Sequence, residues 1–201
     1  MTRRTDPVQE ATDAEALMDA GLALMVENGG RRTRVADIVS AAGLSNDAFY
    51  RSFDSKEALV EAIVERGART VVGYVRHRIA QLAGEGPEAQ LRAGLAAVVR
   101  QASDDALARQ TRIVLANATV PAPHSGHVSV ALVDALAALF AQPAAELGAA
   151  DPMRAARTTA AAVLASLQYW LFTQEVPSPA EVEHLVGFLL AGVRAPDSRR
   201  R

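Results

Sequence analysis

Asn46, Asp47, Ala48, Tyr50 and Arg51 fall within six residues of one another, with Phe49 the one bulky apolar group among them. On a short helix such a set can enter a major groove, where small or hydrogen-bonding side chains at the helix start are needed to reach base edges. Asp47 either accepts a hydrogen bond from a cytosine amino group or simply complements the helix dipole. Thr33 lies upstream, at the predicted start of another helix, and offers a hydroxyl and backbone N–H groups to a phosphate. Lys56, at the start of a third, is placed to do the same.

Other reactive side chains are sparse. His124 and His127 give two imidazoles in a Pro/Gly-flanked loop, too few for a closed zinc site, and read as surface histidines. Asp104 and Asp105 are adjacent, so a helix points them apart and they form no acid/base pair; Asp105 is a possible cap. There is no Gly-rich phosphate loop, no nucleophile elbow and no His-Glu metal motif. With no Cys in the chain, thiolate chemistry and disulfides are excluded. The pattern predicts neither an enzyme nor a cofactor or metal site. Gln168 to Phe172 sets the single Trp, Trp170, beside Tyr169 and Phe172, as core, as subunit interface or as the wall of a ligand cavity.

The elements that must position the 33–56 cluster are helices. Alanine, the best helix former, occurs 42 times, aromatics are only 4% and β-branched runs are short. Thr12 and Glu15 have the spacing of a capping box, which predicts the start of the first helix, with residues 1–11 loose before it. Asn28-Gly29-Gly30 stops that helix. Thr33 is the predicted N-cap of a second helix with Val35, Ile38, Val39 and Ala42 on its apolar stripe, ended by Gly43. Ser45 caps a third, Asn46 to about Phe53, with Phe49 and Phe53 on one face. Helix, Gly-containing turn and helix make a helix-turn-helix pattern at about 34–53. A long helix then runs from a cap at Asp54 or Ser55 to about Leu82, some 40 Å. Five more are predicted near 87–101, 103–118, 128–141, 152–174 and 179–194, with Pro143 to Pro152 as one separator. The count is nine, and the fold all-α. A polar basic tail fills 195–201.

Charge points the same way only weakly. The chain has 21 basic and 23 acidic residues, and the single Lys is Lys56. Residues 31–56 hold Arg31, Arg32, Arg34, Arg51 and Lys56 against Asp37, Asp47 and Asp54. A DNA contact would need a narrow basic face, or doubling in a dimer. No apolar run reaches the roughly 18 residues of a membrane span, and the N-terminus has no signal-peptide core, so a cytoplasmic protein is expected.

The motifs Thr33–Ile38, Ala41–Ser45, Phe49–Phe53 and Ser55–Leu59 together resemble the DNA-binding domain of the tetracycline-repressor (TetR-type) family of bacterial transcription regulators. The resemblance covers about residues 13–66. It implies a helix-turn-helix DNA-binding domain over residues 1–54 and a helical effector-binding and dimerisation domain over 55–201. It implies phosphate contacts at Thr33, Tyr50 and Lys56, joined by Arg34. Ser45, Asn46, Asp47, Ala48 and Arg51 become readers of base edges or nearby phosphates. Family members often carry Lys and then a small residue or Pro after the serine at position 45; here Asn46-Asp47 stands instead.

The resemblance further implies a homodimer on an operator duplex, released by a small molecule. Tyr74, Arg112 and Asn117 lie on helices that line the ligand pocket in such regulators, and Trp170 is expected at its edge. The ligand should be largely apolar, because those helices supply Ala, Val and Leu. Dimer stripes are expected at Ala156, Ala160, Val163, Leu167 and Leu171 on the eighth helix, and at Val182, Leu185, Leu189 and Val193 on the ninth. The rival expectation, from the acidic balance of residues 1–70, is a helical protein–protein interaction module with weakened or lost DNA binding.

Overall fold

The computed structural model describes residues 7–29, 33–118 and 125–194, and among them nine helices and no strand. They are α1 (Pro7–Glu27), α2 (Val35–Ala41), α3 (Asn46–Ser52), α4 (Lys56–Gln81), α5 (Pro87–Ser103), α6 (Asp105–Ala118), α7 (Ser125–Glu146), α8 (Pro152–Thr173) and α9 (Pro179–Arg194). The tail at 195–201 and the loop histidine His124 lie outside the described residues.

Four boundaries differ from the sequence expectation, each for a local reason. α1 begins at Pro7, whose fixed φ suits a first helical position. Residues 7–11 are therefore helical rather than loose. The Thr12 hydroxyl donates to the Val8 carbonyl within the helix, and Glu15 pairs with Arg66, so neither forms the expected capping box. α2 is capped at Arg34 rather than Thr33: the Arg34 N–H donates to the Asp37 carboxylate at 3.3 Å. Asp104, not Asp105, caps α6, its carboxylate accepting from Ala106 and Leu107 N–H. α7 runs through Pro143 to Glu146. Proline costs that helix one backbone bond, and the true stop is Gly148 at φ +88°, where the N–H groups of Gly148 and Ala149 close onto Ala145 and Ala144.

The chain divides into two compact units, and both α4 and α6 contribute to each. The first comprises residues to Gly67 with Arg112–Ser125. Its core joins Leu17, Met18 and Met25 of α1 to Ile38 and Val39 of α2, Phe49 of α3, and Leu59, Val60 and Ile63 of α4. Burying each large apolar side chain contributes about 1.5–3 kcal/mol. Gly21 has a packing reason: a Cβ there would lie 3.1 Å from Leu59 Cδ2.

The second unit comprises Ala68–Thr111 and Gly126–Arg201. α5 is its central helix, with Leu91, Leu95, Val98 and Val99 fully or nearly fully buried, and it packs against α8 and α9. Gly94 lets α5 approach Ile79 of α4 and Phe140 of α7. The N-terminus of α9 has a true capping box: Ser178 N–H donates to Glu181 at 2.8 Å, and Glu181 N–H donates to Ser178 Oγ. The Ser178 backbone N–H, then its hydroxyl, hold the Glu181 carboxyl below its ordinary pKa.

Candidate nucleic-acid interface

The turn between α2 and α3 is built by backbone chemistry. Gly43 sits at φ +66°, a left-handed conformation that side chains resist. Its N–H donates to Ser40 O at 3.2 Å, and Leu44 N–H donates to Val39 O at 2.9 Å. This paired closure ends α2 and turns the chain. Ser45 then starts α3, its Oγ accepting from Ala48 N–H at 3.2 Å. That bond leaves the Ser45 hydroxyl proton free to donate outward.

α3 presents two faces. Ala48 and Phe49 point into the first unit and are buried. Phe49 meets Tyr50 edge-on at 5.3 Å and Phe53 at 5.9 Å. Ser45, Asn46, Asp47, Tyr50 and Arg51 are exposed, Tyr50 by 60%. Arg34 is exposed and Lys56 half-buried at the start of α4, where Ser55 Oγ accepts from Ala58 N–H.

Two of the expected side-chain contacts are not offered by this geometry. Ala48 is 3% exposed; its methyl packs inward and cannot read a base. Thr33 is 4% exposed and its hydroxyl has no partner among the described residues. It is turned into the protein, because the helix cap moved one residue on to Arg34.

The sequence reading also missed a carboxylate. Asp13 of α1 is 7% exposed. Gln9 Nε2 donates to its Oδ1 at 2.8 Å, and Arg51 Nη2 lies 4.0 Å from its Oδ2. The signal was legible: Asp13 precedes Leu17 by four residues and so shares its buried face.

Of the residues expected around a ligand, Tyr74 is half-buried under the Arg100 guanidinium, 5.2 Å from its ring centroid. Tyr74 and Trp170 belong to the second unit. The side chain of Asn117 lies outside the described residues. Trp170 is 8% exposed and lines a depression of about 540 Å³ between α8 and α9, with Ala180, Glu181, His184, Leu185 and Phe188. The other residues lining this depression all belong to α9.

The expected dimer stripe on α8 is core. Ala156, Ala160 and Val163 are wholly buried within one chain, and Leu167 and Leu171 nearly so. On α9, Leu189 and Val193 are buried and Val182 and Leu185 half-buried. Side chains already covered by their own chain cannot cover a second copy. The large apolar groups exposed on these helices are Met153, Tyr169, Phe172 and Phe188, the last two by 67% and 69%.

Residues 17–63 match the family model of bacterial regulatory proteins, tetR family. The HTH-type transcriptional repressor KstR2 of Rhodococcus jostii is 38% identical over 64 residues, 32% of this chain and 31% of that one. The chain thus matches under a third of that relative's length. Two solved structures share the fold over nearly the whole chain. RolR, crystallised with resorcinol, has a TM-score of 0.66 at 17% identity, covering 92% of this chain and 89% of its own. NalD, the secondary repressor of the MexAB-OprM multidrug efflux pump in Pseudomonas aeruginosa, has a TM-score of 0.60 at 20% identity, covering 92% and 96%. At these identities the likeness is one of fold. The matched family, KstR2 and NalD are regulators or repressors, not enzymes.

Proposed function

From the match of residues 17–63 to the family model of bacterial regulatory proteins, tetR family, we propose that the chain is a DNA-binding transcriptional regulator of that family. In this reading it is a repressor, released from a pseudo-palindromic operator by a small molecule. The observation that carries the reading is the exposed face of α3. Ser45, Asn46, Asp47, Tyr50 and Arg51 stand on one side of a short helix whose other side is locked by Phe49. Rigid backing lets side chains discriminate bases rather than adapt to any of them. Asn46 and Asp47 read base edges; Ser45, Tyr50, Arg34 and Lys56 hold phosphates, with Arg51 at either. Thr33 contributes its backbone rather than its hydroxyl.

Operator binding takes two copies. Their two-fold interface lies over Tyr169, Phe172 and Phe188, the aromatic groups that α8 and α9 leave uncovered. The working division is a DNA-binding domain over 1–54 and an effector and dimerisation domain over 55–201. The effector is a small, largely apolar molecule held by the second domain, as the apolar makeup of α5 and α7 suits. RolR with resorcinol and the pump repressor NalD lend support to a small-molecule switch on this fold. A cytoplasmic location fits a DNA-binding role, and no described helix is long and apolar enough to cross a membrane.

The test is selection of duplexes from a random pool by the purified protein, followed by anisotropy titration at several salt concentrations. Enrichment of a two-fold-related sequence with steeply salt-dependent affinity is expected. If no sequence is enriched, the rival reading of a helical protein–protein module stands.

A further inference from the structure

We propose that Asp13 of α1 is a positioning residue for Arg51, holding its guanidinium at the C-terminal end of α3 and thereby sharpening the choice of DNA sequence. The inference rests on the DNA-binding reading of α3. Arg51 is the one cation in that helix, NDAFYRS. A free arginine side chain there would sample many rotamers and bind any phosphate. Asp13 restrains it from behind. Its carboxylate is almost fully buried, with side-chain exposure of 9% against 45% for Arg51. Gln9 Nε2 donates to Oδ1 at 2.8 Å, which fixes the carboxylate plane and turns Oδ2 toward Arg51 Nη2, 4.0 Å away.

A buried carboxylate needs a cation or donors to offset its lost hydration. Gln9 supplies one donor, and Arg51 is a cation within reach. The guanidinium has five N–H donors in a fixed fork. One edge can face Asp13 while the others stay available to a base or phosphate. The acid thus orients the base without consuming it. The arrangement spans two elements, so the angle between α1 and α3 is read directly into the position of Arg51. It also accounts for a carboxylate on the otherwise apolar face of α1 that leads into Leu17.

The test uses the full-length protein, a duplex that the wild type enriches from a random pool, and a scrambled duplex of the same composition. Asp13→Asn keeps the shape and removes the charge. The expected result is a drop of about tenfold in the ratio of selected to scrambled affinity, within the range of one lost base-pair preference. Affinity for the scrambled duplex should hold or rise, since a negative charge near DNA has gone. In an Arg51→Ala background, Asp13→Asn should leave the ratio unchanged, because the residue it positions is absent.

Three outcomes overturn the proposal. Both affinities rising equally would mean that Asp13 acts only as a charge. Both falling equally, with a lower unfolding midpoint, would mean that it acts only on stability. An equal loss of ratio with and without Arg51 would mean that it acts through something else. Failure of the wild type to enrich any duplex would overturn the DNA-binding reading itself, and is a separate observation.

Discussion

The backbone N–H of Leu44 donates to the carbonyl of Val39 at 2.9 Å, across a glycine at φ +66°. This one bond sets the angle at which α3 leaves α2, and with it the direction of the exposed side chains that follow. Nothing would lie within 4 Å of a Cβ at Gly43, so its role is conformational rather than steric. Gly43→Ala should therefore destabilise the protein by about 1–2 kcal/mol, the cost of a left-handed alanine. For a chain of this size that lowers the thermal midpoint by roughly 2–8 °C. Calorimetry of the variant checks it; an unchanged midpoint would mean that the turn finds another conformation.

On the exposed face of α3, side chains divide by role. Asn46→Ala should cost about 1–3 kcal/mol on the selected duplex and relax preference at one base pair. Tyr50→Phe should weaken selected and scrambled duplexes alike, since a phosphate contact carries no sequence information. Lys56→Ala should do the same and reduce the salt slope by about one. Repeating the pool selection with Asn46→Ala tests the placement: an unaltered enriched sequence would remove Asn46 from the reading face.

Self-association should follow exposure. Phe172 and Phe188 are largely uncovered, so Phe172→Glu and Phe188→Glu should leave the helical content intact and yield monomers. Losing such an apolar anchor costs about 2 kcal/mol or more at an interface. Leu167→Glu, in contrast, buries a charge within the chain and should unfold it. Sedimentation velocity with circular dichroism separates the two behaviours. A Phe188→Glu protein that remained dimeric would place the interface on another surface.

Close packing at Gly94 makes the interior of the second unit sensitive to a single methyl. A Cβ there would stand 2.8 Å from Phe140 Cε1 and 3.0 Å from Ile79 Cδ1. Gly94→Ala should therefore destabilise by about 1–3 kcal/mol, as overpacking does, despite the gain in helix propensity. Phe140→Leu in the same chain should recover part of that loss. Gly73→Ala is the control: a Cβ at that position of α4 meets nothing within 4 Å, so propensity alone should stabilise by up to about 1 kcal/mol. Urea titration of the three proteins gives the ordering.

Much of the molecule is legible in the sequence, and the reason is range. The periodicities that gave nine helices, the caps at Ser45 and Ser55, and the glycine stop at Gly43 all act within about four residues. Local chemistry decides them, so local sequence reports them. The helix-turn-helix was legible for the same reason, as were Asn46, Tyr50 and Arg51 on its surface. Local signals also misled where two were available: Pro7 displaced the apparent capping box at Thr12, and Gly148 rather than Pro143 ended α7.

What only the tertiary structure decided is which partner each apolar or charged face meets. An amphipathic stripe states that a face is covered, not by what. Ala156, Ala160 and Val163 read from their spacing as a dimer stripe, and packing within their own chain made them core. Ala48 looked like a small residue suited to a groove, yet the rotation of α3 that buries Phe49 carries Ala48 inward with it. Asp13 and Arg51 are 38 residues apart in sequence, and no spacing rule joins them. They meet because the shared core of α1 and α3 leaves one orientation in which both helices bury their apolar sides, and that orientation sets a carboxylate behind the guanidinium.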